Sequence, residues 1–204
     1  MWESSICILR EALLESGLPF FEADGEAAFY GPKIDVQVKD VMGREETLST
    51  IQADQHLPEQ FKLEYKDSDD TPKRPVMIHR GVISTMERML SYLIELYAGA
   101  FPVWLAPVQA KVLSISEKTA DYAREVYERL RQEDLRVELD NRDDKIGAKI
   151  RDAQLEKVPY MLVVGAKEAE NRAVAVRSRE KGHEGAVPLD EFVARIKAEA
   201  DFDY

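Results

Sequence analysis

The stretch Met77-Ile78-His79-Arg80, followed after a short break by Met86-Glu87-Arg88-Met89, concentrates side chains able to do chemistry. An apolar strand ends in His-Arg and runs into a helix that carries a Glu-Arg pair between apolar residues. An arginine delivered at the start of a helix offers a planar, permanently charged fork to a phosphate or a base face. Glu87-Arg88 also reads as an ordinary pair of surface charges, although Arg88 sits between Met86 and Met89. His79 is one of three histidines, and no other His or Cys stands at metal-ligand spacing from it. A hydrogen-bonded structural role therefore competes with a metal role, since a zinc site needs three or four ligands. Tyr30-Gly31-Pro32-Lys33 is either a plain turn into a strand or a hydroxyl and an ammonium presented at the mouth of a sheet. Gln52 points opposite to Ile51, toward solvent or toward a polar ligand.

The second half holds a sparser set. Lys145, Lys149 and Arg151 lie on a helix opened by Asn141-Arg142-Asp143-Asp144, where acidic residues are ordinary complements of the helix dipole. Glu168 follows the strand Tyr160–Val164, and Arg177 lies in the next strand. Loops at the ends of parallel strands are where such sheets usually bind ligands. Cys7, the single cysteine, lies on a helix face, which favours packing over reactivity.

The elements that must position these residues follow from periodicity. Trp2 to about Ser16 reads as a helix with Ile6, Leu9, Leu13 and Leu14 at helical spacing and Gly17 as its stop. Ile34–Val38 is a period-two strand, turned by Met42-Gly43-Arg44 into a partner strand from Thr47 to Ala53. A polar loop over 66–72 precedes a strand Val76–His79. A helix from about Val82 to Ala98 follows, with Met86, Met89, Leu90, Leu93 and Leu96 as its expected buried face. Beyond a linker over Pro102–Pro107 the pattern changes to alternating strands (Val112–Ile115, Arg136–Leu139, Tyr160–Val164, Ala173–Ser178) and helices (Glu117–Glu133, Lys145–Lys157, Leu189–Ala200). That alternation implies an α/β unit with a mostly parallel sheet.

Bulk properties bound the function. A chain of 204 residues accommodates one large or two small domains. No apolar run reaches the length of a membrane span, no signal pattern opens the chain, and one cysteine excludes an internal disulfide framework. The net charge of −11 argues against bulk electrostatic binding of nucleic acid. The charge is uneven, however: residues 1–100 hold 10 basic and 18 acidic side chains, and residues 101–204 hold 18 and 21. Basic residues cluster at Arg142–Arg151 and Arg172–Lys181, so a local basic face is available to RNA.

Several segments together carry a family resemblance. Ala28-Phe29-Tyr30-Gly31-Pro32-Lys33-Ile34, Ser49-Thr50-Ile51-Gln52-Ala53-Asp54, Met77-Ile78-His79-Arg80 and Met86-Glu87-Arg88 resemble threonyl-tRNA synthetases. So do Trp104-Leu105-Ala106-Pro107-Val108-Gln109, Lys145-Ile146-Gly147 and Val158-Pro159-Tyr160-Met161-Leu162-Val163-Val164-Gly165. The match runs in order over essentially the whole chain. It implies the end of a class II catalytic domain over 1–103, with a partial antiparallel sheet. An α/β/α anticodon-binding domain with a mixed, mostly parallel sheet would follow over 104–204.

By resemblance, Tyr30, Lys33 and Gln52 are substrate-pocket residues, and His79 is the last ligand of a zinc ion (Zn2+) that sorts threonine from valine. Arg88 is the arginine of the third class II motif, which stacks on adenine and offsets phosphate charge. Lys145, Glu168 and Arg177 read the anticodon, with Asp143 and Lys157 at neighbouring contacts. The resemblance further implies ATP with Mg2+, threonine and tRNA(Thr) as partners, a homodimer when complete, a cytoplasmic location and no membrane. A catalytically inactive, stand-alone tRNA-binding paralogue is the alternative.

Departures from the family pattern fall at Ser84, where glycine is usual, at Thr47 and Gln55, and at Asp143, where asparagine is common. The first two class II motifs, the arginine that grips the ATP phosphates and two zinc ligands have no counterpart in these residues. The 204-residue chain is therefore expected not to activate threonine. Measurable threonine-dependent ATP–pyrophosphate exchange by the purified chain would contradict this.

Overall fold

The alternation of the Lys33–Val38 segment builds the first sheet. The computed structural model describes residues 2–201, in two units: one ends at Glu95 and the next begins at Leu96. In the first, α1 (Trp2–Ser16) ends at Gly17, whose φ of +68° is the left-handed geometry of a helix stop. Strands β1 (Lys33–Lys39) and β2 (Glu45–Asp54) form the expected antiparallel hairpin. Asp40 Oδ1 closes its turn by accepting the N–H groups of Met42 and Arg44, both at 2.9 Å. A bulge between Val36 and Gln37 shifts the register.

A short helix α2 (His56–Gln60) follows, and the polar loop is flanked by the two-residue strands β3 (Tyr65–Lys66) and β4 (Pro72–Lys73). Strand β5 (Met77–Gly81) pairs antiparallel with β2, giving the order β1-β2-β5. Helix α3 (Met86–Tyr97) starts about four residues later than expected. Ser84 takes φ +56° and the Thr85 hydroxyl accepts the Arg88 N–H at 3.3 Å, which caps the helix there.

One expectation is corrected. The apolar row of α3 is not buried: Met86 and Leu90 are 69% and 51% exposed, Leu96 is exposed too, and Met89 and Leu93 are only half-buried. Helical spacing of apolar residues reports a face suited to burial, not what covers it. In α1, likewise, Leu14 is exposed and Ile6, Leu9 and Leu13 are half-buried.

The second unit is closed better. It runs β6 (Ala110–Ser114), a 3-10 turn at Glu117–Thr119, α4 (Ala120–Arg131), β7 (Val137–Asp140), α5 (Ile146–Leu155) and β8 (Tyr160–Val164). Then come α6 (Ala166–Asn171), β9 (Ala173–Ser178), β10 (Gly182–Pro188) and α7 (Leu189–Ala200). The sheet order is β10-β9-β8-β6-β7. Strand β6 is parallel to β7 and β8, whereas β8–β9 and β9–β10 are antiparallel, so the sheet is evenly mixed. Sequence reasoning missed β10 because Gly182 and Gly185, at φ +73° and +97°, and a bulge at Glu184 break its alternation.

Helices α4 and α7 seal one sheet face: Tyr122, Ala123, Val126, Leu130, Phe192, Val193 and Ile196 pack on Val112, Leu162, Val164, Val174 and Val176. On the other face α5 packs through Ala153, Ile146 and Ile150 against Leu113 and Met161. The segment read as a linker is pinned into this unit. Gln109 Nε2 donates to the Val103 carbonyl at 3.0 Å and its Oε1 accepts the Arg136 N–H at 2.9 Å. Arg136 holds the carbonyls of Ala106 and Trp104 at 2.9 and 2.7 Å. Among the described residues no helix is long and apolar enough to cross a membrane.

Candidate functional site

Residues that stand opposite each other in antiparallel strands share a sheet face. In the first unit the rows Lys33–Gln52–His79 and Asp35–Thr50–Gly81, with Asp54 opposite Met77, therefore build one polar face. The intervening Ile34, Val36, Ile51 and Ile78 line the reverse side. Tyr30 reaches this face from the preceding turn: its hydroxyl donates to Gln52 Oε1 at 2.7 Å, and its ring packs edge-on to the His79 ring at 5.7 Å between centroids. Gly31 makes the turn possible, because a Cβ there would overlap the Ala53 carbonyl oxygen.

Two carboxylates that sequence reasoning did not single out organise the face. Asp35 accepts the Lys33 ammonium at 2.5 Å and the Thr50 hydroxyl at 2.7 Å. Asp54 is completely buried. Its Oδ1 accepts the N–H groups of His56 and Leu57 at 2.8 and 3.0 Å, and its Oδ2 lies 2.7 Å from His79 Nε2. Burial pushes the Asp54 carboxyl up, but the bonds from His79, Leu57 and His56 together outweigh it and hold the pKa below the ordinary 3.8. Acidic residues on a strand read as a solvated face, so only the register reveals them.

Arg88 does not join this cluster. Its side chain is 60% exposed and its nearest charge is Glu46, 3.9 Å away. Glu46 stands opposite Val38, in the row of Ile34 and Val36 on the reverse side. Ser84, which stands where the family pattern has glycine, occupies the left-handed region that favours glycine. Thr47 bonds Gln37 at 2.9 Å, and Gln55 donates to the Ser5 hydroxyl.

A zinc ion finds no complete site here. His79 can offer one ring nitrogen, the other being turned toward Asp54, a carboxylate–histidine arrangement common behind metal ligands. No group of three or more His, Cys, Asp or Glu that could hold a metal occurs among the described residues.

In the second unit the cover that α5 provides fades across the sheet. Met161 on β8 is buried, Val163 is half-buried, Ala175 and Arg177 on β9 are half-buried, and His183 and Ala186 on β10 are exposed. The register pairs Met161 with Arg177 and Arg177 with His183, placing all three on one face. Arg177 Nε is buried there with no hydrogen-bond partner. A buried guanidinium N–H without an acceptor is costly, and an incoming acceptor would relieve it.

Lys145 and Asp143 lie exposed in the segment that enters α5, at the C-terminal end of β7. Glu168 occupies the first turn of α6, just past the C-terminal end of β8, rather than a bare turn. Its carboxylate folds back to accept the Gly165 N–H at 2.9 Å. A Cβ at Gly165 would crowd Glu168 Oε2 and Ile115 Cδ1, both at 2.8 Å. Lys157 follows the other end of α5, and its ammonium donates to the Ala98 carbonyl. The structure thus gathers Lys145, Asp143 and Glu168 at one edge of the sheet, with Arg177 on the open face, and sets Lys157 at the opposite edge.

Comparisons with known proteins fit this division. Residues 2–97 match the family described as tRNA synthetase class II core domain (G, H, P, S and T), and residues 103–199 match the anticodon binding domain family. A threonine–tRNA ligase from Clostridium perfringens is 58% identical over 198 residues, 97% of this chain and 31% of that protein. Threonine–tRNA ligase 1 of Bacillus subtilis is 56% identical over 98% of this chain and 31% of its own length. The chain belongs to the threonyl-tRNA synthetase family. It spans about 31% of the length of these curated relatives. Among solved structures, the RNA binding domain of threonyl-tRNA synthetase from Cryptosporidium parvum Iowa II shares 37% identity and a TM-score of 0.91, over 99% of this chain and 51% of that one. Within the threonyl-tRNA synthetase family, then, this chain corresponds to the C-terminal part, and its two units answer to the two matched domains.

Replacing Asp54 with Asn removes a charge-assisted acceptor from His79 and is expected to cost about 1.5–3 kcal/mol. Because the folded pKa is depressed, that contribution is present above the ordinary carboxylate range and disappears as pH falls through the lower, folded value. Urea unfolding followed by amide exchange in β2 and β5 should therefore separate the two proteins at pH 7 and bring them together at strongly acidic pH. Equal stability at pH 7 would contradict this role.

Proposed function

We propose that the chain is the C-terminal part of a threonine–tRNA ligase, an enzyme that activates threonine with ATP and Mg2+ and transfers it to tRNA(Thr). In this reading residues 1–103 contribute part of the threonine and ATP site, and residues 104–204 recognise the anticodon. Tyr30, Lys33 and Gln52 contact the substrate through the polar sheet face. His79 supplies one ligand of the zinc site, and Arg88 meets ATP once the rest of a catalytic domain turns it toward that face. A cytoplasmic homodimer is the assembly that this reading implies.

The observation that carries the RNA half is the open sheet face with the unpartnered Arg177 Nε. A base edge or a phosphate supplies the acceptor it lacks once the half-buried Arg177 side chain turns outward, and the paired apolar residues Val163 and Ala175 suit a splayed base. Among the described residues the Lys145 ammonium makes no ion pair or hydrogen bond, so it is available as a second donor at the end of the sheet where Glu168 also lies. Exposed apolar residues in the first unit, such as Phe29 (84%) and Met42 (78%), favour a catalytic part awaiting further surface over a self-contained paralogue.

A well-made base contact is worth about 1–3 kcal/mol. Lys145→Ala and Arg177→Ala are each expected to weaken binding of tRNA(Thr) about tenfold or more at fixed salt. Lys181→Ala, a surface charge, should change it less than about threefold. Equal binding by all three variants, measured by filter retention or fluorescence anisotropy, would remove the anticodon assignment.

A further inference from the structure

The most deeply buried cation among the described residues lies beneath the segment that carries Lys145. Lys149, on α5, is 1% exposed. Its ammonium donates to the Ser114 carbonyl at 2.9 Å and to the Asp140 carbonyl at 3.3 Å, and lies 4.0 Å from Asp140 Oδ1. It thus ties the C-terminal ends of β6 and β7 together from below. An ammonium is retained at such depth only where its donors are satisfied, and removal of either side leaves unpaired polar groups.

Asp140 passes the constraint outward. The Arg142 fork grips its carboxylate twice, Nε to Oδ1 at 3.0 Å and a terminal nitrogen to Oδ2 at 2.7 Å, and the Arg142 N–H adds a third bond at 3.1 Å. The same guanidinium reaches Asp152 on α5 at 3.1 Å and Asp144 at 3.5 Å. The Arg142 side-chain bond, set against partial burial, holds the Asp140 carboxyl below its ordinary range. Arg142 is therefore half-exposed yet surrounded by three carboxylates. Its charge is already neutralised, so it is a poor phosphate contact, and its planar fork staples the segment between β7 and α5 to the helix that follows.

We propose that Lys149, Asp140 and Arg142 are positioning residues for base discrimination: they fix the course of residues 140–145 and thereby the placement of Lys145. This rests on the anticodon-reading function proposed above and names what sets its selectivity. Lys149 and Asp140 are too buried to make safe probes, whereas Arg142 is accessible and can be changed without opening the core.

The test compares the chain with Arg142→Gln and Arg142→Lys. Each is titrated with tRNA(Thr) and with the same tRNA carrying swapped anticodon bases, over a series of salt concentrations. The Lys variant keeps the charge and loses the bidentate fork. Both variants are expected to lower the native-to-swapped affinity ratio about tenfold, the scale of one well-made base contact. Salt dependence and affinity for the swapped tRNA should change little, and amide exchange across 141–146 should quicken while β8 stays protected. Two results overturn the proposal while leaving anticodon reading intact. One is an unchanged ratio in both variants. The other is retention of the ratio by Arg142→Lys together with a salt slope reduced by about one in Arg142→Gln, the signature of a direct phosphate contact. Failure of the unaltered chain to prefer the native anticodon overturns the underlying reading, and the positioning role with it.

Discussion

Uneven cover of one sheet governs the second unit. Helices α4 and α7 cover one face of the five strands, whereas α5 packs on the other over Leu113 and Met161 and leaves β9 half-buried and β10 exposed. A sheet closed on one side can afford a working surface on the other, because the core that holds the strands together lies elsewhere. Arg177 projects on the open side with a buried, unpartnered Nε, a cost that the packing around Val174 and Val176 lets the fold tolerate. The helix that provides the partial cover also begins with the segment that presents Lys145. One element therefore limits the open face and places Lys145 at the C-terminal end of β7.

The first unit is organised by register rather than by a core. Its larger sheet has only three strands, yet the bulge after Val36 and the hairpin turn at Asp40 fix which residues face which way. A slip by one residue would move Lys33, Gln52 and His79 to the apolar side. Asp54 adds the constraint that the strands alone do not supply: it turns one ring nitrogen of His79 inward and ties the start of α2 to the end of β2. The polar face and the apolar exposure are thus two sides of the same thin sheet. Its reverse side and α3 carry exposed apolar residues, among them Val36, Ile78, Met86 and Leu90.

Much of this was legible in the chain itself, for reasons that differ by element. Tyr160–Val164, Ala173–Ser178 and Leu189–Ala200 stand at the bounds expected, because an apolar strand run or an unbroken helical stripe leaves little choice. Glycine-rich β10 and six-residue α6 carry no period and were not legible. The gathering of Tyr30, Lys33, Gln52 and His79 followed from segments far apart in sequence, and only the pairing of β1, β2 and β5 brings them together. Asp35 and Asp54 were invisible for the same reason. Arg88 was legible as a residue type and not as a position, since the direction of an exposed side chain is set by whatever covers α3. Lys157 keeps company with the Ala98 carbonyl at the far edge, a distance that spacing along α5 implies once its ends are known.

The central claim is that the half-covered sheet face, and no other surface of the second unit, receives the anticodon. Amide chemical-shift mapping of the chain on titration with the anticodon stem-loop of tRNA(Thr) tests it most directly. The account predicts shifts confined to 141–146, 165–168 and 175–177, with α4 and α7 silent. Shifts centred on Tyr122–Leu130 or Phe192–Ile196, or none at saturating RNA, would contradict it.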